Sequence, residues 1–235
     1  MIDIFLKPTA GEVVNLFGQE EVFFLWHETE VGKKLVETGK LKKIEEVVNE
    51  ALAGGANAQE VLDSMMEAMD EVGAKFQKNE IYVPEMLVAA KTMQRGVGVL
   101  KPLLGGDAVG KYGKFIIGTV AGDLHDIGKN LVALMVESAG FEVIDLGVDV
   151  PAEKFVETVK ANPDCKVVGV SALLTTTMEA MRNTVKALID AGLKDQVKIM
   201  VGGAPITQAF ADEIGADAYT TDAASAALKA KELAC

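Results

Sequence analysis

Two acidic side chains, a histidine and a glycine lie within six residues near the middle of the chain. The segment reads Asp123-Leu124-His125-Asp126-Ile127-Gly128. A carboxylate two residues before a histidine can accept a hydrogen bond from one ring nitrogen, which leaves the other nitrogen as a basic lone pair. That nitrogen can bind one metal ion carried by a cofactor, or it can act as a general acid or base. A loop histidine with only local hydrogen bonds is the third interpretation, and the pattern alone leaves all three open.

The elements around this segment indicate an α/β domain over residues 114–235. The apolar run from Phe115 to Val120 comes directly before it, and an amphipathic helical pattern follows it. Continuous Val/Ile-rich runs are typical of parallel strands that helices cover on both faces. We therefore predict a doubly wound, flavodoxin-like five-stranded parallel sheet with the strand order 2-1-3-4-5. The predicted strands lie near residues 114–120, 141–146, 166–171, 197–202 and 217–220.

Three polar or glycine-rich segments follow predicted strands in this domain. The Asp-x-His segment follows the first strand, Ser171 to Thr177 follow the third, and Gly202-Gly203 follow the fourth. In the predicted order the first and third strands flank a crevice at their carboxyl ends, where ligands of such sheets bind. Two adjacent glycines allow the backbone to approach a large planar group. The sequence thus predicts one ligand site formed by these loops.

The first half of the chain has a helical pattern. Residues 31–95 repeat apolar side chains at three- and four-residue spacing, which predicts a small antiparallel bundle that forms a separate domain. Residues 96–113 contain six glycines and one proline, a composition typical of a linker. Residues 1–30 are apolar and aromatic, and we predict a helical extension of unclear role there.

Composition excludes several classes of protein. The net charge is −12, with 35 acidic and 23 basic residues, so the basic footprint of a nucleic-acid-binding protein is missing. No apolar run approaches the roughly 20 residues that span a bilayer, so we expect no membrane insertion. Cys165 and Cys235 provide neither a disulfide framework nor a paired metal-ligand spacing. A cytoplasmic location is the simplest expectation.

The segment from Gly118 to Asn130 resembles the cobalamin-binding signature of corrinoid proteins, and the later Ser-x-Leu and Gly-Gly elements are also present. The resemblance implies cobalamin as cofactor, with His125 as the lower axial ligand of cobalt and Asp123 as its hydrogen-bond partner. Thr177 aligns with the hydroxyl that ends the ligand relay in methionine synthase, although serine stands there in the family. Ser171 and Thr175 would line the pocket of the nucleotide tail. The full set implied to contact the cofactor also includes Gly122, Leu124, Asp126, Ile127, Gly128, Leu173, Gly202, Gly203 and Ala223.

The resemblance continues upstream of the linker. Residues 69–76 and 81–87 look like the helical cap that covers the upper face of the cofactor in methyl-carrying corrinoid proteins. By position, Phe76 and Val83 would lie over the methyl group on cobalt. The linker over residues 96–113 would then be the hinge on which the cap moves aside.

A cap and a cobalamin module without a catalytic barrel are similar to the small corrinoid subunits of methanol, methylamine, methoxyaromatic and betaine methyltransferase systems. This implies a non-catalytic subunit that cycles between Co(I) and methyl-Co(III). It would receive the methyl group from a substrate-specific methyltransferase and pass it to a second methyltransferase with a tetrahydrofolate or thiol acceptor, and a reductive activase would rescue oxidised corrinoid.

Three alternatives remain at this stage. A cobalamin-dependent sensor or regulator would normally need a basic DNA-binding module, and residues 1–30 contain Lys7 as their single Lys or Arg. A cobalamin subunit of a mutase has no reason to carry a methyl cap. A receiver-like or flavodoxin-like domain without cobalt would need signals that the loops do not show.

Overall fold

The computed structural model describes residues 36, 39, 42–104 and 111–235. The predicted helical extension over residues 1–30 and the middle of the predicted linker lie outside this part of the chain. The chain divides into two compact units, one made of residues 1–75 and 81–108 and the other of residues 76–80 and 109–235. Among the described residues, no helix is long and apolar enough to cross a membrane.

The first unit contains three described helices, which confirms the predicted helical region. They are α1 (Ile44–Ala53), α2 (Ala58–Gln77) and α3 (Val83–Leu100). Each helix buries the face that carries its apolar residues at three- and four-residue spacing. The helix α3 begins with Pro84 in its first turn, and the Glu85 carboxylate accepts a hydrogen bond from the Tyr82 N–H at 2.9 Å. The buried apolar side chains include Ile44, Val47, Val48, Leu62, Met65, Met66, Met69, Met86 and Met93.

The linker predicted over residues 96–113 begins too early, because α3 extends to Leu100. Residues 96–100 are the last turn and a half of α3, and Gly96 is buried in it. A Cβ atom at Gly96 would lie 2.3 Å from Met65 Cε and 3.2 Å from Ile44 Cγ1. Gly96 therefore lets α3 pack closely on α1 and α2, and its presence reflects packing where the composition suggested a flexible link.

The second unit is built on a five-stranded, all-parallel sheet in the order β2-β1-β3-β4-β5, which confirms the predicted topology. The helices α4 to α8 and a short 3₁₀ helix alternate with the strands. The strands are β1 (Lys114–Thr119), β2 (Glu142–Asp145), β3 (Cys165–Ser171), β4 (Lys198–Gly202) and β5 (Ala218–Tyr219). The helices are α4 (Ile127–Ser138), α5 (Ala152–Ala161), the 3₁₀ helix (Thr175–Thr177), α6 (Met178–Asp190), α7 (Gln208–Ile214) and α8 (Ala223–Ala234).

The core of this unit surrounds the three central strands. Ile116 of β1, Val168 of β3 and Ile199 of β4 are fully buried, and β1 pairs with β3 through Ile116 and Val168. Consecutive residues of β1 are buried because both faces of the sheet are covered. The strand β2 is only half-buried, since it lies at an edge of the sheet. Because β1 and β3 are parallel neighbours in the sheet, their carboxyl ends lie side by side.

Candidate functional site

The loop after β1 turns sharply and holds the histidine by its backbone. Gly122 has a left-handed backbone with φ +79°, a conformation that suits glycine. The Asp123 N–H donates to the Val120 carbonyl at 3.1 Å, and the buried Thr119 hydroxyl donates to the His125 carbonyl at 2.9 Å. These contacts fix the path of the main chain from the end of β1 to His125.

Asp123 is the buried centre of the site. Its side chain has no exposed surface, and both carboxylate oxygens accept hydrogen bonds. Oδ1 accepts from the His125 backbone N–H at 3.1 Å and pairs with His125 Nδ1 at 2.8 Å. Oδ2 accepts from the Leu173 N–H at 2.7 Å and the Thr177 hydroxyl at 2.9 Å, with the Leu174 N–H farther away at 3.4 Å. One carboxylate thus joins the loop after β1 to the loop after β3.

These donors keep Asp123 ionised. Burial by itself raises the pKa of the Asp123 carboxyl, because a low-dielectric surrounding disfavours the charged form. The hydrogen bonds from Leu173, His125 and Thr177 outweigh burial and hold the pKa of Asp123 well below its ordinary range. A carboxylate that accepts several N–H and O–H bonds is therefore negatively charged at neutral pH.

His125 presents one ring nitrogen for a further bond. Because the ionised carboxylate of Asp123 can only accept, Nδ1 of His125 carries the proton and Nε2 is left with a lone pair. The side chain is 50% exposed, and no hydrogen bond from the described residues reaches Nε2. In that part of the chain there is also no group of three or more His, Cys, Asp or Glu that could hold a metal ion. The donor set therefore suits a metal that arrives with its other ligands already in place.

Large exposed apolar side chains lie next to His125 in the sequence and in the loop after β3. Leu124 and Ile127, which flank His125 and Asp126, are 72% and 77% exposed, and Leu173 and Leu174 in the loop after β3 are 41% and 40% exposed. Such large exposed side chains, grouped at the carboxyl ends of two neighbouring strands, are typical of a ligand-binding surface. We call these four side chains the apolar rim. A half-exposed imidazole beside such a rim suits a flat macrocycle that brings its own metal.

The two glycines after β4 have different structural roles. A Cβ atom on Gly203, whose φ is +133°, would lie 1.8 Å from the Ala172 carbonyl oxygen, so only glycine fits there. A Cβ atom on Gly202 would meet only the Thr220 carbonyl oxygen at 3.7 Å, which is an ordinary contact. Gly203 is therefore needed for the close approach of two backbones, whereas Gly202 leaves space beside the strand.

The remaining predicted contact residues in the loops of the sheet lie at or near the ends of its strands and helices. Ser171 ends β3, Thr175 begins the 3₁₀ helix, and Ala223 begins α8. Asp126 lies at the start of α4, where its Oδ2 accepts from Asn130 Nδ2 at 3.2 Å, and a Cβ atom on Gly128 would meet nothing within 4 Å.

Phe76 and Val83 belong to the helical region. Phe76 is half-buried near the end of α2, and Val83 is 40% exposed at the start of α3. Their predicted location over the cofactor stays a prediction.

Three residues that complete the loop were not among the predicted site residues. Asp149 accepts from the Gly122 N–H, and its own N–H donates to the Asp123 carbonyl. The Thr119 hydroxyl donates to the His125 carbonyl, and Lys129 is buried in the first turn of α4, where its ammonium bonds to Asp145. Lys129 was visible in the Gly-Lys-Asn continuation of the histidine segment. Asp149 could not be found from its neighbours in sequence, because its partners Gly122 and Asp123 lie 27 and 26 positions away.

Two protein-family models, both described as B12 binding domains, match residues 33–101 and 113–229. The chain is 49% identical to dimethylamine corrinoid protein 3 of Methanosarcina mazei over 167 residues. The aligned residues cover 70% of this chain and 99% of that protein.

Two solved structures are also similar to the chain. A cobalamin-binding protein from Desulfitobacterium hafniense is 33% identical with a TM-score of 0.74, over 88% of this chain and 98% of that one. The methanol:cobalamin methyltransferase complex of Methanosarcina barkeri contains a chain that is 26% identical with a TM-score of 0.78, over 97% of this chain and 85% of that one. Together with the ligand geometry, these matches show that the chain belongs to the corrinoid proteins with B12 binding domains and that its cofactor is cobalamin or a related corrinoid.

Proposed function

We propose that this protein carries a methyl group on the cobalt of its corrinoid between two methyltransferases, with His125 as the lower axial ligand. The observation that carries the proposal is the half-exposed imidazole whose Nδ1 lies 2.8 Å from the buried carboxylate of Asp123. The apolar rim supports it, because Leu124, Ile127, Leu173 and Leu174 can cover the lower face of the macrocycle. When bound, the corrinoid supplies the cobalt that accepts and releases the methyl group.

Asp123 and Thr177 prepare His125 for a ligand bond that forms and breaks. With Nε2 as a ligand of cobalt, the Asp123 carboxylate would keep the proton on Nδ1 and direct the ring. When Nε2 is free, it can take up a proton, and the same carboxylate stabilises the resulting imidazolium. The Thr177 hydroxyl lies 2.9 Å from both Asp123 Oδ2 and the Leu174 carbonyl, so its single proton can move between two acceptors.

The other predicted residues would hold the rest of the cofactor. We propose that Ser171 and Thr175 line the pocket of the nucleotide tail and that Gly202, Gly203 and Ala223 border its base. The open space beside Gly202 supports this assignment. Phe76 and Val83 of the helical region would shield the methyl group on the upper face, because apolar side chains exclude water from a reactive carbon.

The names of the relatives support a choice of partners. Several curated relatives are named dimethylamine corrinoid proteins and one is named for trimethylamine. A structural neighbour comes from a complex with a methanol methyltransferase. We propose a methylamine-specific methyltransferase as the donor-side partner, a second methyltransferase with a tetrahydrofolate or thiol acceptor, and a reductive activase that restores oxidised corrinoid.

Reconstitution tests the ligand assignment. Apo protein is mixed anaerobically with reduced cobalamin, desalted and measured by visible absorbance, in parallel with His125→Ala and with Asp195→Ala, an exposed aspartate in the loop before β4. We expect stoichiometric retention by the wild type and Asp195→Ala, and weaker binding or an altered spectrum for His125→Ala. Wild-type protein that retains no corrinoid would refute the site assignment and the carrier function together.

Methyl transfer tests the donor. The loaded protein is incubated with purified methylamine or methanol methyltransferase and the matching substrate, and methylation is followed by absorbance. Faster methylation with a methylamine methyltransferase supports the proposed partner. Methylation only in the presence of the methanol enzyme would keep the carrier function and overturn the choice of donor.

A further inference from the structure

Asp149 adopts a backbone conformation that side chains rarely tolerate. It lies between β2 and α5 and has φ +54°, in the left-handed region. This region disfavours residues with a Cβ atom, and Asp and Asn are the non-glycine residues found there most often. The side chain is exposed, so its carboxylate has no need of a protein partner to offset burial. The strained conformation therefore calls for an explanation in its contacts.

The contacts of Asp149 all lead to the loop that carries the histidine. Its Oδ1 accepts from the Gly122 N–H at 2.7 Å, and its own N–H donates to the Asp123 carbonyl at 3.0 Å. The next residue, Val150, donates its N–H to the Thr119 carbonyl at 2.9 Å. The side chain and the main chain of a single residue thus bind two consecutive residues, which lie three and two positions before the histidine.

These bonds complement those on the other side of the loop. The carboxylate of Asp123 is held by Leu173 and Thr177 beside β3, whereas its main chain is held by Asp149 beside β2. Since the His125 ring is bonded to Asp123 Oδ1, the direction of Nε2 depends on both attachments. Releasing the main chain would let Asp123 and the ring move together.

We propose that Asp149 is a positioning residue of the corrinoid site. It fixes the main chain of Gly122 and Asp123 so that the His125 ring keeps the direction required for the bond to cobalt. The inference rests on the proposed function of His125 as lower axial ligand. Asp149 does not itself touch the ring, and its effect passes through Asp123.

Three substitutions separate the hydrogen bond from the backbone strain. Asp149→Asn keeps an acceptor oxygen and tolerates the left-handed backbone, whereas Asp149→Gly removes the strain and the acceptor together. Asp149→Ala removes the acceptor and keeps the strain. If the acceptor positions the loop, Ala and Gly weaken corrinoid binding about tenfold, as for other residues that orient a metal ligand, and Asn stays within about twofold of the wild type.

The apo protein provides a readout that does not depend on the cofactor. Amide hydrogen exchange is measured at Gly122, whose N–H loses its charged acceptor in the Ala and Gly variants. We expect exchange to accelerate about tenfold or more there and to stay slow in Asp149→Asn. In the loaded protein, visible absorbance measures the fraction of corrinoid that has histidine bound to cobalt. This fraction should be lower in Asp149→Ala and Asp149→Gly than in the wild type, and close to the wild-type value in Asp149→Asn. Asp195→Ala serves as the surface control.

The outcomes distinguish this inference from the proposed function. If His125→Ala loses the histidine-ligated spectrum while Asp149→Ala keeps wild-type affinity, spectrum and Gly122 exchange, the role of Asp149 is refuted and the ligand assignment stands. If Asp149→Asn fails to restore binding, an acceptor hydrogen bond is not what positions the loop, and the inference fails. If His125→Ala keeps the wild-type spectrum, the ligand assignment and the inference fall together.

Discussion

The two ends of the parallel sheet use the same kinds of charged side chain in different ways. At the amino end, Lys114 pairs with Asp164 at 3.0 Å and Lys194 pairs with Asp217 at 2.7 Å. The Asp164 carboxylate is 57% exposed, so water as well as lysine can solvate it. An ion pair with such an exposed carboxylate contributes little to the free energy of folding.

At the carboxyl end two charged side chains are buried, while several large apolar side chains are exposed. Asp123 and Lys129 have almost no exposed side-chain surface, and Leu124 and Ile127 are exposed by more than two thirds. This inversion of the usual arrangement costs free energy that only dense hydrogen bonding offsets. The carboxyl end is organised for a ligand, and the amino end is organised for solvent.

The largest expected effect is that of Gly203→Ala. The new Cβ atom would lie 1.8 Å from the Ala172 carbonyl oxygen, a backbone atom that cannot move without displacing the end of β3. We expect destabilisation by about 4 kcal/mol or more, because such strain is among the few causes of very large effects. Urea denaturation followed by circular dichroism measures it.

Gly202→Ala is the matched control for this position. Its Cβ atom would have a single ordinary contact at 3.7 Å, so the variant should fold with a free energy of unfolding within about 1 kcal/mol of the wild type. Weaker corrinoid retention by folded Gly202→Ala would support a cofactor beside this strand. Equal stability of the two variants would contradict the crowding of Gly203.

Asp123→Asn should have the next largest effect. The asparagine amide cannot accept from all the donors around it, and an NH₂ group that faces Nδ1 would place the histidine proton on Nε2. We expect a loss of about 2 kcal/mol in the free energy of unfolding, because bonds to a charged group are lost. The histidine-ligated spectrum should disappear, since Nε2 would have no lone pair.

The dependence on pH provides a second measurement of the same substitution. The pKa of Asp123 is lower in the folded protein than the roughly 3.9 of an unfolded chain, so ionisation stabilises the fold above that value. This contribution is lost as the pH falls below about 4 and through the folded pKa. The stability difference between wild type and Asp123→Asn should therefore shrink as the pH falls from about 5 into acid. A difference that does not change in acid would contradict an ionised Asp123.

Lys129→Met tests the second buried charge at this end. The Lys129 ammonium bonds to the Asp145 carboxylate and to Asn130 Oδ1, and the side chain is buried in the first turn of α4. Methionine keeps the apolar stem, and the half-exposed Asp145 can be solvated by water, so we expect a loss of about 1 kcal/mol in the free energy of unfolding. Thermal denaturation measures it against Lys194→Met from the amino end. A larger loss in Lys194→Met would reverse the comparison between the ends.

The sequence predicted those parts of the site that depend on short-range pattern. Continuous apolar runs indicated the strands and their order, and that order placed the loops after β1 and β3 together. The two-residue spacing between Asp123 and His125 predicted their hydrogen bond, which the structure confirms at 2.8 Å. The cofactor was predicted from the resemblance to corrinoid proteins, because a pattern of three residues is too short to identify a cofactor.

What escaped prediction depends on contacts between distant residues. The contacts of Asp149 with Gly122 and Asp123 depend on the left-handed backbone of the aspartate and on the fold that brings the two distant loops together. Gly96 was assigned to a linker because composition does not reveal that a glycine faces Met65 across two helices. In both cases the deciding contact joins residues that are more than 20 positions apart in the chain.

The smallest expected effect is that of Lys114→Gln at the amino end. The hydrogen bond to Asp164 raises the pKa of the Lys114 ammonium, so any stabilisation is present at neutral pH and is lost only in strong alkali, above the ordinary lysine value. Because the Asp164 carboxylate is largely solvated, we expect the unfolding midpoint at neutral pH to stay within the spread of replicate melts, at low and at high salt. Corrinoid retention should also be unchanged, since this pair lies at the end of the sheet opposite to His125. If Lys114→Gln destabilised the protein as much as Asp123→Asn, the cost of a lost charge would not depend on burial, and the contrast between the two ends would have to be explained by something other than solvation.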